Sequence, residues 1–542
     1  MASSAIAALC ALVATAFWTF LGFAAARQLL PRGLRLGAAP VLGWAVHSAV
    51  TLPLFFWIGF SPFTVLGVAA LCVAGAAILL LLPRDAIDGE VSPAVPLWAF
   101  AAAAMLALAP AVAIVPKVSA GEVHLADPIF DHSKIAIVDA MMRSGLPPLN
   151  PIIGAAGTAS HLVYYYLWHF SAAQLALPWR ATGWEADIGL TWFTAFASLS
   201  LMMGVAVWLS KRSPAAVWVV LLAAAGSLRE LLGAIFGSYQ LEPLLLQSTG
   251  FAGWLFQAAW VPQHLMAASC VVLALILIAR CAVAPGVALL AVLALVVVAG
   301  FESSTYVGGV TFAVAALAAT AALLAAIDAT VRWRFIAGLA SAAVLGVCLA
   351  SPFVLDQFGA VAARGDASPI IVRPFAVLGA LVPGNLRRAL DLPAYWLLLL
   401  PIEFPATFIA GTAALVVLLR TALPTAERLA VVALASLAGS GLAVSWLLVS
   451  TLGDNNDLGL RGAAGGHGVD RERICRPDAA AAPPLDRRRG GWRPGAQPAR
   501  RGADDPLQHR RHAAARRRGV RADAGAVAGG APRCTAGRPC GQ

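Results

Sequence analysis

The chain has 542 residues, of which 60% are hydrophobic and 12% charged, and its formal net charge is +11. The mean hydropathy is +0.80, and apolar runs recur that can each cross a hydrocarbon core of about 30 Å, since about 20 residues suffice. This composition excludes a soluble globular protein. Because a spanning backbone must satisfy its own hydrogen bonds, we predict an all-α fold, a polytopic transmembrane helical bundle.

About twelve apolar segments qualify as transmembrane helices. Lys and Arg of short loops stay on the cytoplasmic side, and alternation of the spans puts Arg27, Lys211 and Arg420 together there. This topology is consistent only if the aromatic segment 161–177 does not cross the membrane, so we predict that the segment is re-entrant or interfacial. The large loop 116–183 then faces the non-cytoplasmic side. The predicted spans are 4–26, 38–60, 63–83, 95–115, 184–209, 214–236, 262–280, 284–300, 305–327, 335–352, 393–420 and 427–452.

The segment from Gly121 to Pro151 is unusually polar for this chain. Its ionisable residues are Glu122, His124, Asp127, Asp131, His132, Lys134, Asp139 and Arg143. After Pro128, apolar and polar residues alternate at helical spacing, and Gly145 with the prolines that follow it ends the pattern. We predict a short amphipathic helix at the membrane interface, with Asp131 at or near its N-cap. Capping alone is one interpretation of this aspartate, and catalysis is the other.

This segment resembles a known external loop. The run FDHSKIA, from Phe130 to Ala136, and the run MRSGLPPLNP, from Met142 to Pro151, resemble the first external loop of GT-C membrane glycosyltransferases, which include the oligosaccharyltransferase catalytic subunit. Asn150 stands where the family pattern has Asp. The resemblance implies a polyprenyl-phosphate sugar donor, a site on the non-cytoplasmic face and a loop carboxylate as acceptor base. That base would be Asp131, with Asp127 or Glu122 as second choices.

Other residues of the loop are candidates for substrate binding. His132 and Lys134 follow the candidate base directly, and HLVYYYLWHF, from His161 to Phe170, follows later in the loop. Aromatic rings with polar tips suit both the membrane interface and a sugar ring. We therefore include Tyr164, Tyr165, Tyr166 and His169 in the candidate site. The alternatives are an interfacial aromatic belt for the tyrosines and a satisfied core histidine for His169.

Five more candidates lie beyond the large loop. Gln263 and His264 open a predicted helix, where backbone N–H groups and the helix dipole favour an anion such as a lipid phosphate; simple capping is the alternative. Glu302 is a candidate second carboxylate for a divalent metal or for the acceptor, or else a turn residue without function. Arg387 and Arg388 have suitable donors for phosphate oxygens. Their alternative is contact with interfacial lipid.

The end of the chain has a different composition. Residues 1–460 contain 20 Lys plus Arg and 20 acids, whereas 461–542 contain 18 Arg and 7 acids. We therefore divide the chain into a transmembrane domain, 1–460, and a disordered Arg/Gly/Ala/Pro-rich tail, 461–542. A basic arm for nucleic acid or anionic lipid is one interpretation. We favour a GC-rich sequence read out of frame, which gives Arg without Lys; this copy would be inactive if further helices are missing.

The sequence thus predicts a glycosyltransferase of the cell envelope, embedded in the bacterial inner membrane with its site facing the periplasm. Its partners would be the bilayer, a polyprenyl-phosphate-linked sugar and an acceptor glycan, lipid or protein, and no nucleic acid. Lys134, Arg387 or His264 would stabilise the leaving phosphate. The alternative is a secondary transporter or a lipid or polysaccharide flippase, for which Arg229 and Glu230 within a predicted span are the main argument.

Overall fold

A computed structural model describes most of the chain up to residue 450. The described ranges are 3–83, 93–119, 122–124, 128–151, 161–237, 253–362, 370–372, 377–378 and 382–450. The predicted tail, 461–542, lies outside them.

Helices make up nearly all of the described chain. In the first half they are α1 Ser4–Leu29, α2 Arg32–Ile58, α3 Pro62–Leu81, α4 Leu97–Ala113, α5 Pro128–Ser144, α6 Leu167–Trp179, α7 Gly183–Ser210, α8 Ala215–Ala224 and α9 Arg229–Phe236. In the second half they are α10 Trp254–Trp260, α11 Pro262–Val283, α12 Val287–Ser303, α13 Phe312–Ala326, α14 Ala329–Ala362, α15 Gly384–Ala394, α16 Leu400–Glu403, α17 Pro405–Arg420 and α18 Thr425–Leu447. Two π-helical segments, Thr305–Thr311 and Tyr395–Leu399, lead into α13 and α16.

Two short antiparallel ribbons accompany the helices. Strand β1, Lys117–Ser119, pairs with β2, Glu122–His124, in the large loop. Strand β3, Ile370–Val372, pairs with β4, Leu448–Ser450, after the last helix. With three residues per strand, these ribbons do not change the fold class.

The helices identify an integral membrane protein. Eight helical segments of the described chain are long and apolar enough to span a bilayer, and a bent pair, Gly384–Glu403 with Pro405–Arg420, passes the same test. Helices α4, α8 and α12 are apolar but shorter, at 10 to 17 residues. The all-α membrane fold is therefore confirmed. The number of about twelve spans remains a prediction.

Three predicted spans have a different form from the one expected. The span 214–236 is broken, because α8 ends at Ala224 and α9 begins only at Arg229. The span 393–420 is bent by 116°, with Pro405 starting a new helix after Phe404. The span 335–352 does not end at Pro352; α14 runs on to Ala362 and carries that proline inside it.

Helix α5 is the amphipathic helix predicted in the large loop, but it is more buried than expected. It begins at Pro128, so Asp131 lies in its first turn and not at its N-cap; proline is well suited to a first helical position. Its end agrees with the prediction, since Gly145 has φ of +79° and follows directly. Both Ile135 and Lys134 are buried. The helix therefore packs inside the protein on much of its surface.

Helix α6 lies in the core of the bundle. With 13 residues it is about 20 Å long, too short to span a membrane, and its residues from Leu167 to Ala176 are all buried. The Trp44 indole donates to the Ser171 hydroxyl at 3.0 Å, and the Gln174 amide donates to Thr51 at 3.4 Å. Hydrogen bonds to α2 thus stabilise a polar strip of α6 within an apolar bundle.

Candidate functional site

A cluster of hydrogen-bonded side chains joins the start of α6, the start of α11 and the end of α12. His264 is at its centre: its Nε2 lies 3.2 Å from the Tyr165 hydroxyl and its Nδ1 lies 2.8 Å from Ser304 Oγ. Gln263 donates to the Tyr164 hydroxyl at 3.3 Å. We call these five residues, Tyr164, Tyr165, Gln263, His264 and Ser304, the His264 cluster.

The cluster contains a stacked aromatic pair. The rings of Tyr164 and Tyr165 are 4.1 Å apart at their centroids and inclined by 29°. Tyr165 is buried, as is Tyr166, while Tyr164 is half-buried. This burial does not fit an interfacial belt. Both hydroxyl groups of the pair are hydrogen-bonded to residues of α11.

Glu302 lies next to this cluster and is completely buried. Within the described part of the chain, neither of its carboxylate oxygens has a hydrogen-bond partner, and neither does the neighbouring Ser303 hydroxyl. Burying an ionised carboxylate without a partner costs several kcal/mol, so such a group is protonated or completes its bonding with something that arrives. Glu302 is therefore the clearest sign of a binding function in the described structure.

His169 has a similar environment on α6. It is fully buried, and both ring nitrogens lack a hydrogen-bond partner among the described residues. Burial, with smaller electrostatic contributions from Lys134 and His264, lowers the pKa of His169 to about 3. Its ring meets that of Tyr164 edge-on at 5.6 Å. A neutral imidazole with open hydrogen-bonding capacity therefore faces the His264 cluster.

Tyr166 is hydrogen-bonded to a second buried carboxylate, Asp356. Its hydroxyl donates to Asp356 Oδ2 at 3.3 Å. Burial, followed by the negative charges of Asp356 and Glu302, raises the pKa of Tyr166 well above its usual value. The other oxygen of Asp356 lies 2.6 Å from His161 Nδ1. Sequence reasoning missed Asp356 as a site residue, because the span was predicted to end at 352. It also missed His161, which opens the aromatic segment but was not chosen from it.

An apolar groove lies beside these polar groups. It has a volume of about 790 Å³ and is lined by residues of α11, α12, α13 and α14, including Phe301, Ala316, Val347 and Phe358. Phe301 contacts Phe353 at 6.0 Å between ring centroids, and Phe353 contacts Tyr166 at 5.2 Å. We call these three rings the aromatic wall: Phe301 at one end lines the groove, and Tyr166 at the other end donates to Asp356.

Lys134 forms a buried ion pair that connects neighbouring helices. Its ammonium lies 3.5 Å from Asp187 Oδ2, with both side chains buried, and it donates to the Ala259 carbonyl at 3.4 Å. It thus connects α5, α7 and α10. In this arrangement its charge is balanced by a protein carboxylate, which the sequence reasoning did not anticipate because Asp187 falls inside a predicted span.

The remaining candidate residues lie either outside the described part of the chain or away from the His264 cluster. The side chains of Glu122, Asp131 and His132 and the whole of Asp127 lie outside the described part. On α15, Arg387 is half-buried and Arg388 exposed, and neither has a hydrogen bond or ion pair to a described residue of the cluster. In the described part, no group of three His, Cys, Asp or Glu side chains lies close enough together to hold a metal ion.

Arg229 has a partner far away in sequence. Its guanidinium lies 2.6 Å from Glu403, and the Ser227 hydroxyl donates to the Ile402 carbonyl at 3.1 Å. These contacts connect the break between α8 and α9 to the bend between α16 and α17. The side chain of Glu230 lies outside the described part.

Comparison with known proteins gives one relative to report. Over 245 residues, or 45% of this chain, the sequence is 38% identical to the uncharacterized protein y4nK of Sinorhizobium fredii (strain NBRC 101917 / NGR234). The match covers only 36% of that relative's length. No family model matches the chain, and no solved structure matches it. The chain is therefore similar to part of a longer bacterial protein, and the GT-C resemblance rests on the loop motif.

Proposed function

We propose that the chain is a membrane glycosyltransferase, which moves a sugar from a polyprenyl-phosphate donor to an acceptor glycan, lipid or protein on the non-cytoplasmic face of the bacterial inner membrane. The observation that supports this proposal is the aromatic wall, which links an apolar groove at Phe301 to the polar groups around Tyr166. A donor with a long apolar chain and a polar head needs both surfaces side by side. The loop motif supplies the reaction class.

The chemistry assigns roles to the cluster. The acceptor hydroxyl oxygen attacks the anomeric carbon and a base takes its proton, while the bond from that carbon to the phosphate oxygen breaks and its electron pair leaves with the polyprenyl phosphate. The loop resemblance assigns the base to Asp131. Gln263 and His264, at the start of α11, lie where a helix terminus favours the phosphate. The stacked pair Tyr164 and Tyr165 would hold the sugar ring.

A transfer assay tests the proposal. The purified chain would be reconstituted in vesicles with polyprenyl phosphates carrying different radiolabelled hexoses, together with a soluble acceptor and a lipid acceptor. We expect label to move from the donor to one acceptor class. If no acceptor is labelled from any donor by a folded, reconstituted chain, the proposal is wrong.

Two matched variants test the groove. Val347 and Val344 are both exposed valines of α14, but only Val347 lines the groove. We expect Val347→Trp to obstruct the apolar chain and lower transfer about tenfold, since this corresponds to about 1.4 kcal/mol of lost binding. Val344→Trp should transfer at the wild-type rate. Equal transfer rates for both variants would show that the groove does not bind the apolar chain of the donor.

The second candidate function is a secondary transporter or a lipid or polysaccharide flippase. Its supporting observation is the ion pair of Arg229 with Glu403, where a broken helix meets a helix bend, since transporters place ionisable groups at such breaks. A vesicle assay that follows a fluorescent polyprenyl phosphate between leaflets distinguishes the two. Movement of the lipid that Arg229→Gln abolishes, without any sugar transfer, would favour the transporter.

A further inference from the structure

The pair of His161 and Asp356 has the arrangement of a proton-accepting dyad. Nδ1 of the imidazole lies 2.6 Å from Oδ1 of the carboxylate, and 195 residues separate the two in sequence. The His161 side chain is 46% exposed, whereas the Asp356 side chain is only 6% exposed. The imidazole is therefore the accessible member, and the carboxylate is the buried member that holds it.

Further contacts hold Asp356 in one orientation. Its second oxygen, Oδ2, accepts from the Tyr166 hydroxyl at 3.3 Å and from the Gln357 amide at 3.4 Å. The same Gln357 amide donates to the Leu162 carbonyl at 3.1 Å, next to His161 in the chain. Both carboxylate oxygens are thus engaged, and α14 is fastened to the backbone that carries the imidazole.

This geometry determines which nitrogen of His161 can act as a base. An ionised carboxylate only accepts hydrogen bonds, so Nδ1 carries the proton that it donates to Asp356. The lone pair is then on Nε2, which has no hydrogen-bond partner among the described residues. A carboxylate in this position also stabilises the imidazolium that forms when Nε2 takes up a proton.

We propose that His161, oriented by Asp356, accepts the proton of the acceptor hydroxyl. The inference rests on the proposed function and assigns its base to a group other than the loop carboxylates. The hydroxyl proton moves to Nε2 while the oxygen bonds to the anomeric carbon, and the electron pair of the broken bond leaves on the polyprenyl phosphate. Asp356 is a positioning residue. Its contact with Tyr166 links the dyad to the aromatic wall, whose other end, Phe301, lines the groove.

A structural latch, in which the pair only fastens α14 to the chain before α6, would use the same contacts. The test must therefore separate this structural role from proton transfer. In the reconstituted transfer assay, we expect His161→Gly to lower transfer about 100-fold, a typical contribution of general acid–base catalysis. Added imidazole should restore part of the rate, because the site of the missing ring is exposed. Asp356→Asn should lower kcat with little change in KM. A latch predicts loss without rescue by imidazole, and that result would overturn the proposal.

Two comparisons complete the transfer experiment. Asp328 is exposed and directly precedes α14 at its other end, about 40 Å from Asp356 along the helix axis. Asp328→Asn is therefore the matched control and should transfer at the wild-type rate. Asp131→Asn is measured beside it. If Asp131→Asn loses transfer while His161→Gly retains it, the base is the loop carboxylate, and the proposed function stands without the dyad.

A second measurement needs no sugar transfer. Neutral imidazole nitrogen attacks diethyl pyrocarbonate, and mass spectrometry gives the rate of this modification at His161. At pH 8, we expect Asp356→Asn to slow it about fivefold, because the carboxylate that accepts from Nδ1 makes Nε2 more nucleophilic and holds the ring in one orientation, and Asp328→Asn to leave it unchanged. If the wild type transfers no sugar, the proposed function fails, and this rate alone decides the dyad. Equal rates in all three proteins would overturn it.

Discussion

Two regions of the molecule bury ionisable side chains, and they do so in opposite ways. Between α5 and α7, Lys134 faces Asp187 at 3.5 Å, and both are almost inaccessible to solvent. At the end of α12, Glu302 is equally buried but has no hydrogen-bond partner in the described part of the chain. A buried ion pair is stable only while both charges are present, because removing one leaves the other uncompensated. A buried acid without a partner weakens the fold, which suggests that it is kept for binding.

Removing one charge of the paired region should have the largest effect on stability. Lys134→Met leaves Asp187 as an uncompensated buried charge, and we expect the free energy of unfolding to fall by about 3–5 kcal/mol. Unfolding in mixed detergent micelles, followed by circular dichroism, measures it. The double variant Lys134→Met with Asp187→Leu should regain most of the loss. If the double variant is as unstable as the single one, the two side chains do not act as a pair.

Acid should destabilise the protein through His169, which is buried on α6 beside the His264 cluster. Its pKa is about 3 in the folded protein and about 6.5 when unfolded, so unfolding takes up a proton between these values. Stability is therefore complete above pH 6.5 and falls as the pH drops, by up to about 1.4 kcal/mol per pH unit. Unfolding free energies of the wild type and of His169→Gln, measured from pH 7 to 4, test this. Parallel curves for the two proteins would contradict it.

Glu302→Gln should separate stability from function. It replaces a buried carboxyl group, which has no hydrogen-bond partner in the described part of the chain, by an amide of the same shape. We therefore expect the free energy of unfolding to change by no more than about 1 kcal/mol, while sugar transfer falls at least about tenfold. The same two assays measure both. A loss of stability as large as that of Lys134→Met would show that Glu302 has a structural partner, and the contrast between the two regions would disappear.

A third region contains an ion pair that is partly open to solvent, and breaking it should have the smallest effect on stability. Lys211 and Glu427 lie 2.6 Å apart with side chains 30% and 11% exposed. Solvent screens such a pair, so Lys211→Met should cost only about 0.5–1 kcal/mol, and less at high salt. Denaturant titrations at low and high ionic strength measure both. A cost equal to that of Lys134→Met would show that burial does not control the difference.

The membrane helices were the most predictable part of the fold. The predicted spans 184–209 and 262–280 differ from α7 and α11 by at most three residues at either end, because long apolar runs between polar residues determine them locally. A broken span is harder to recognise. The gap between α8 and α9 depends on contacts of Ser227 and Arg229 with residues about 175 positions away, and such contacts leave no local pattern.

The candidate site was predictable only in part. Gln263, His264 and the tyrosines were chosen for residue type and position, and the structure brings them together with Glu302 through Ser304. Asp356 was not chosen, because the predicted span stops at Pro352, and a helix usually ends at or before the residue that precedes a proline. The surrounding helices hold α14 in place beyond this proline, and that packing is a property of the tertiary fold.

The π-helical segment between α12 and α13, Thr305–Thr311, has a consequence for how such chains vary in length. A π-turn holds one residue more than an α-turn, so one deletion there can be absorbed by a return to α-helical winding. Elsewhere in a span, the same deletion would rotate every later side chain by about 100°. Related chains that differ by one residue within this span should therefore carry the gap at 305–311, where Glu302 and the preceding helix keep their orientation.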